Sequence, residues 1–126
     1  MDKPCILVVD DSNTNIVLLE AILEEKGYNI QTAVSAKEAA DCIKKRIPDL
    51  ILLDLLMPKI SGFDFLEKLR LDEKTLNIPV IVVSALVDGD SKKRIHDLGA
   101  TGYIQKPVNI QQLIESVARV LQPFAE

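Results

Sequence analysis

Asp10 and Asp11 follow one apolar run, Asp54 follows another, and Lys106 precedes Pro107 near the end of the chain. Each stands where a buried strand should emerge into a loop. In an open parallel sheet, the loops after the carboxyl ends of the strands share one edge, where ligands bind. Residues distant in sequence would therefore meet there. Three carboxylates brought together repel: at ~4 Å and an effective dielectric of about 20, each pair costs about 4 kcal/mol. A cation, a proton or a nearby lysine must relieve that repulsion. The pattern predicts a metal site with chemistry at it.

The first of these loops reads Asp10-Asp11-Ser12-Asn13. A dinucleotide-binding fold would place glycines here to admit phosphate, whereas two carboxylates repel phosphate unless a cation intervenes. Magnesium prefers hard oxygen ligands and keeps several waters. Asp11, Asp54 and one backbone carbonyl of the next loop would leave room for water and a substrate oxygen. The ordinary role for Asp10 or Asp11 is helix N-capping. Asp54 has a further use, because a carboxylate can attack phosphorus and form an aspartyl phosphate. Phosphoryl transfer mainly needs positioning and charge neutralisation, which Mg2+ and the Lys106 ammonium would supply. Ser84 ends the next central run, so its hydroxyl could donate to a phosphoryl oxygen. Taken singly, Ser84 is a plain strand-end serine and Lys106 a surface lysine before a turn proline.

The elements that must position these residues alternate through the whole chain. Residues 5–9 (CILVV), 50–53 (LILL) and 79–83 (PVIVV) are continuous apolar runs, as expected of strands buried on both faces. Residues 29–34 (NIQTAV) alternate, with Ile30, Thr32 and Val34 on one side, which suits an edge strand. Residues 102–105 (GYIQ) form a short last strand. Between them, Ile16, Leu19, Ile22 and Leu23 make a helical stripe that stops at Gly27. Ser35 and Glu38 form a capping box, and Phe63, Leu66 and Leu69 mark a third helix after Gly62. Ile110, Leu113, Ile114, Val117 and Leu121 mark a fifth. The fourth helix, about 88–98, has only Ile95 and Leu98 as large apolar residues. A helix burying so little is weakly anchored and moves at small cost. Five β-α units imply an α/β fold, a parallel sheet with helices on both faces. The flavodoxin-like strand order 2-1-3-4-5 fits three buried central strands and a weak edge. Pro48, Pro58, Gly62, Pro79, Gly99 and Pro107 fall at loop positions, and the whole chain, 1–126, reads as one domain.

Composition narrows the function. The 126 residues are 48% hydrophobic and 27% charged, ordinary for a soluble globular domain. The net charge of −4 argues against a nucleic-acid surface. Lys92, Lys93 and Arg94 form a local basic run that reads as a solvated helix face. No apolar stretch approaches the ~20 residues of a membrane span, and the N-terminus lacks the features of a signal peptide. Cys5 and Cys42 read as buried thiols in a reducing cytoplasm. A single histidine, His96, gives little support to zinc sites or serine–histidine pairs.

The segments LVVDDSNTN, LILLDLLMPKISG, VIVVSA and GYIQKPVN together resemble the receiver domains of two-component response regulators, from about Cys5 to Leu121. The resemblance implies that Asp54 is the phospho-acceptor. It implies that Asp11 and Asp54, with the carbonyl of Leu56, bind Mg2+, and that Asp10 assists through water. Ser84 would be the switch hydroxyl, Lys106 the contact to the phosphoryl oxygens, and Pro107 cis. Tyr103 stands where the family has an aromatic that moves inward on activation. Such domains take a phosphoryl group from a sensor histidine kinase or histidine phosphotransfer protein, catalyse that transfer themselves and later hydrolyse it. They are switches rather than conventional enzymes. Their readout surface is usually the fourth helix, fifth strand and fifth helix, facing a downstream protein or a linked output domain. Ser84 replaces the commoner threonine, and Leu56 and Leu86 are apolar where many relatives are polar. Two apolar neighbours would exclude water and slow dephosphorylation.

The competing reading is a Mg2+-dependent phosphatase with an aspartate nucleophile. Haloacid dehalogenase-type enzymes share that chemistry, but carry the nucleophile on the first strand in a D-x-D pattern. Here the first strand ends in adjacent aspartates, and no large cap domain is available. A degenerate receiver that binds partners without phosphorylation is a third reading.

Overall fold

The computed structural model describes residues 3–56, 61–85 and 88–121. Pro58 and Leu86 lie outside them. The elements alternate as β1 (Cys5–Val9), α1 (Asn13–Glu25), β2 (Asn29–Ala33), α2 (Ala36–Lys45), β3 (Leu50–Leu53), α3 (Gly62–Leu71), β4 (Val80–Ser84), α4 (Gly89–Asp97), β5 (Gly102–Gln105) and α5 (Ile110–Leu121). All strands are parallel, in the order β2-β1-β3-β4-β5. This is the expected flavodoxin-like arrangement.

Two cores explain the continuous apolar strands. Leu7, Val9, Ile51, Leu53, Val80 and Val82 point to the side covered by α2, α3 and α4. Ile6, Val8, Leu50, Leu52, Ile81 and Val83 point to the side covered by α1 and α5. Successive strand residues face opposite sides, so a strand covered on both needs apolar residues throughout. β2 pairs only with β1 and is an edge. Its fully buried residue is Ala33, whereas Ile30, Thr32 and Val34 are half-buried. An edge strand is flanked on one side only, which leaves part of each side chain open.

Helix starts follow local chemistry. Ser12, Ser35, Ser61 and Asp88 cap α1 to α4, each side chain accepting from a backbone N–H three residues on. The Glu38 carboxylate also returns to the N–H of Val34 at 3.0 Å.

Four expectations change in detail. Gly62 is the buried first residue of α3 rather than a loop residue. Phe65 is the fully buried phenyl of that helix, and Phe63 is half-buried. Cys42 is half-buried, unlike Cys5. In α5, Leu113 and Val117 are buried while Ile110 is exposed.

α4 is as poorly anchored as its composition suggests. Ile95 is its one fully buried residue. Charged side chains make up part of the difference. The Arg94 guanidinium lies 4.3 Å from the centroid of the Phe63 ring of α3, and the Lys92 ammonium 5.9 Å from that of Tyr103 on β5. Arg70 of α3 fastens the far end: its Nε donates to the carbonyl of Leu98 (3.1 Å) and Nη2 to that of Gly99 (3.0 Å). Its Nη1 donates to Leu76 (3.1 Å) and Ile78 (3.0 Å) in the connection before β4. A planar guanidinium with donors in a fixed fork suits this role, which a lysine could not fill.

Candidate functional site

The carboxyl edge of the sheet gathers the chemically capable residues through the strand ladder itself. Val9 is in register with Leu53, so the residues after them, Asp10 and Asp54, emerge side by side. The ladder continues into both: Asp10 donates its N–H to the carbonyl of Ala33 (3.1 Å) and Asp54 to that of Val9 (2.9 Å). Ser84 pairs with Gln105, and the N–H of Lys106 bonds to the carbonyl of Ser84 (3.0 Å). The Lys106–Pro107 peptide is cis.

Asp10, Asp54 and Ser84 are 2%, 5% and 0% exposed, so their charges and hydroxyl need partners. Lys106 reaches from the edge strand across β4 and places Nζ 2.8 Å from Asp10 Oδ2 and 3.0 Å from Asp54 Oδ2. Asp54 Oδ1 accepts from Ser84 Oγ (3.1 Å) and from the N–H of Leu56 (3.0 Å). Asp10 Oδ1 accepts from the N–H of Ser12 (2.9 Å). Because Ser12 caps α1, neither aspartate is spent on that task. Tyr103 donates its hydroxyl to the carbonyl of Ser84 (3.3 Å), tying the ring to the end of β4.

The lysine's ionisation reflects these neighbours. Burial alone would lower its pKa, but hydrogen bonds and charge attraction from Asp10 and Asp54 outweigh it and raise the value above 10.5. Lys106 is therefore cationic throughout the physiological range. The stability its contacts contribute is full below pH 10.5 and is lost as pH rises through the higher folded value.

The donor set fits a divalent cation. Asp10, Asp11 and Asp54 each offer a carboxylate oxygen, all within 4.8 Å of one another. One ammonium offsets one of three negative charges, leaving a match for a hard dication with oxygen ligands. Asp11 is exposed, so one side is open to solvent, as suits an ion that retains waters.

Gly62 is a residue whose part the sequence pattern does not reveal. A Cβ there would lie 2.5 Å from Leu55 Cα and 2.7 Å from the Asp54 carbonyl oxygen. Only glycine allows α3 to start this close to the Asp54 backbone. The hint available in the sequence is a glycine directly after a capping serine.

The chain that builds this edge, with a strand-end carboxylate ringed by two others, a hydroxyl and an ammonium, matches the response regulator receiver domain over residues 6–118. The chain belongs to that family. It is 36% identical over 119 residues to the DNA-binding dual master transcriptional regulator RpaA of Synechocystis, covering 94% of this chain but 49% of RpaA. It is 34% identical over 116 residues to the polar-differentiation response regulator DivK of Brucella ovis, covering 92% of this chain and 94% of DivK. Thus it spans about half the length of the first relative and nearly all of the second. Among solved structures, the chemotaxis protein CheY4 of Vibrio cholerae superposes with a TM-score of 0.89 at 29% identity, covering 95% of this chain and 100% of that one. The receiver domain of a signal transduction histidine kinase from Syntrophus aciditrophicus gives 0.88 at 33% identity, covering 98% and 93%.

Proposed function

We propose that residues 1–126 form one receiver domain that works as a phosphorylation-controlled switch, with Asp54 as phospho-acceptor. The observation that carries this reading is the Asp54 carboxylate, buried at a strand end yet contacted by Lys106, Ser84 and the Leu56 N–H. The donor is a phosphohistidine of a sensor kinase or histidine phosphotransfer protein. An Asp54 oxygen forms the new O–P bond while the P–N bond breaks and the imidazole leaves with the electron pair. Lys106 balances the charge that builds on the phosphoryl oxygens. Asp10, Asp11 and Asp54, with the carbonyl of Leu56, would hold Mg2+, which when bound draws charge from the same oxygens.

The switch follows from contacts that phosphorylation must break. A phosphoryl group adds about −1.5 to −2 charge units and strong acceptor oxygens. Ser84 and Lys106 now bond to Asp54 itself, so both must re-aim to reach the group. Each charge-assisted bond is worth roughly 1.5–3 kcal/mol, and shifting a population from 1:99 to 99:1 takes about 5.5 kcal/mol. Two or three such bonds suffice. Tyr103 and α4 follow Ser84, and the α4–β5–α5 face carries the change to a downstream protein or a linked output domain. A cytoplasmic setting goes with the phosphohistidine donor of this reading; among the described residues no helix is long and apolar enough to cross a membrane. The acidic net charge argues against direct nucleic-acid binding by this chain.

Intact mass after incubation with Mg2+ and acetyl phosphate tests the central claim. One phosphoryl group should appear and Asp54→Ala should abolish it; a label that survives the substitution rejects Asp54 as acceptor. Stoichiometric labelling marks a switch, whereas sustained hydrolysis of small phosphate esters marks a phosphatase. Leu56 borders the acceptor through its N–H bond to Oδ1. A Leu56→Asn, Leu86→Glu variant should lose its phosphoryl group faster than the parent, and an equal rate removes the water-exclusion idea.

A further inference from the structure

Apart from the acidic edge, the helical face carries a groove with its own chemistry. It opens between α2 and α3, measures about 330 Å³, and contains none of the residues of the acidic edge. Its apolar surface comes from Ala36, Ala40, Ile43, Phe65 and Leu69. Two alanines on α2 keep that helix wall low, so the space is not filled from within. Three lysines, Lys37, Lys44 and Lys68, also line it. Among the described residues none of the three is in an ion pair; the pairs there involve Lys106 and His96. The lining acid, Asp72, accepts the N–H of Lys74 (2.9 Å). The Thr75 hydroxyl is turned to the carbonyl of Leu69 (2.7 Å). In a chain of net charge −4, this is a local concentration of unpaired positive charge around an apolar cleft.

Size selects the occupant. An α-helix with its side chains is about 10–12 Å across, and a stable protein interface buries roughly 1,200 Å² or more. A 330 Å³ cleft is too small to seat such a helix. It does fall within the roughly 300–1,000 Å³ of small-molecule sites. At ~30 Å³ per water it has room for about eleven water-sized groups. We propose that this groove binds a small amphiphilic monoanion, with an apolar body of up to about ten heavy atoms in the cleft and its carboxylate among Lys37, Lys44 and Lys68. The site stands apart from the phosphorylation reading, and neither depends on the other.

Titration of the full 15N-labelled chain with octanoate, below its micelle threshold, tests this. Saturable amide shifts should centre on Ala40, Ile43, Phe65 and Leu69. A Lys44→Gln, Lys68→Gln variant, changed only at exposed positions, should bind about fivefold more weakly, as two exposed charge pairs would give. Octan-1-ol should show a comparable loss. Ala40→Phe, which fills the cleft and leaves the lysines in place, should remove the shifts. Shifts that do not saturate, equal binding of the alcohol, or shifts centred elsewhere would each overturn the proposal. So would binding confined to an acidic helical peptide, which would mark a protein interface instead.

Discussion

α3 and α4 begin alike. Each follows a strand whose end carries a residue of the acidic edge, Asp54 before α3 and Ser84 before α4. Each opens with a capping residue and a glycine, Ser61-Gly62 and Asp88-Gly89. Their surroundings differ sharply. A Cβ on Gly62 would strike the backbone of Leu55 and Asp54, whereas one on Gly89 would meet nothing within 4 Å. α3 then buries Phe65, Leu66 and Leu69, while α4 buries Ile95 alone. One helix is locked to the sheet by shape and apolar area. The other is held by cations on aromatic rings and by an arginine at its far end. The same local start thus gives a fixed support after Asp54 and a loosely held element after Ser84.

Substitutions can break this contrast. Leu66→Ala should cost the most, about 2–5 kcal/mol, as global destabilisation in urea melts. A loss confined to α3 amides would show that this helix is not part of the cooperative core. Gly62→Ala should cost about 3 kcal/mol, since backbone must move to admit the methyl, and it should slow phosphoryl labelling by shifting Asp54. Full activity in that variant would mean the close approach is dispensable. Arg70→Ala should cost roughly 1–3 kcal/mol, as carbonyls lose a charged donor. Hydrogen exchange should rise near Leu98 and Gly99, and an unchanged pattern there would show that the arginine does not hold α4. Gly89→Ala, in open space, should be neutral or stabilise by up to about 1 kcal/mol. Marked destabilisation would mean that α4 starts under a constraint not visible in its surroundings.

Acid separates the two helices most gently. The N–H and hydroxyl of Ser91 hold the Asp88 carboxyl below its usual 3.8. The cap is therefore intact above that value and fails as pH falls through the lower folded one. Ser61 has no such titration. Amides at the start of α4 should exchange faster, relative to those at the start of α3, once pH falls below the folded value. Parallel behaviour of both helices would contradict the assignment of caps.

Much of this is legible in the sequence. Continuous runs such as CILVV and LILL announce strands covered on both faces, and strand-end residues in a parallel sheet must share one edge. The meeting of Asp10, Asp54, Ser84 and Lys106 follows from those two facts. Periodicity did not separate Phe63 from Phe65: with residues two apart and a broad apolar face, the neighbouring strand decides which is covered. Nor did it show that Lys106 bonds to both carboxylates, because the span of a lysine across β4 depends on sheet twist. The part played by Arg70 was hidden for a similar reason. Its acceptors in the turn after α4 lie 28 and 29 residues away and are backbone atoms, which leave no trace in side-chain pattern.

That arginine sets the mechanics of α4. The helix has nine residues and so is about 13 Å long at ~1.5 Å per residue. Fixed at Leu98 and Gly99, it is a lever with its fulcrum at the far end and its near end on the stretch of chain that follows Ser84. A tilt of about 10° would carry the tip some 2 Å, within the range of known helix shifts, while the fulcrum hardly moves. On the proposed switch, a change of hydrogen-bond length at Ser84 would be delivered at the near end, away from the Arg70 bonds. The same change applied at the Arg70 end would have to break several bonds at once.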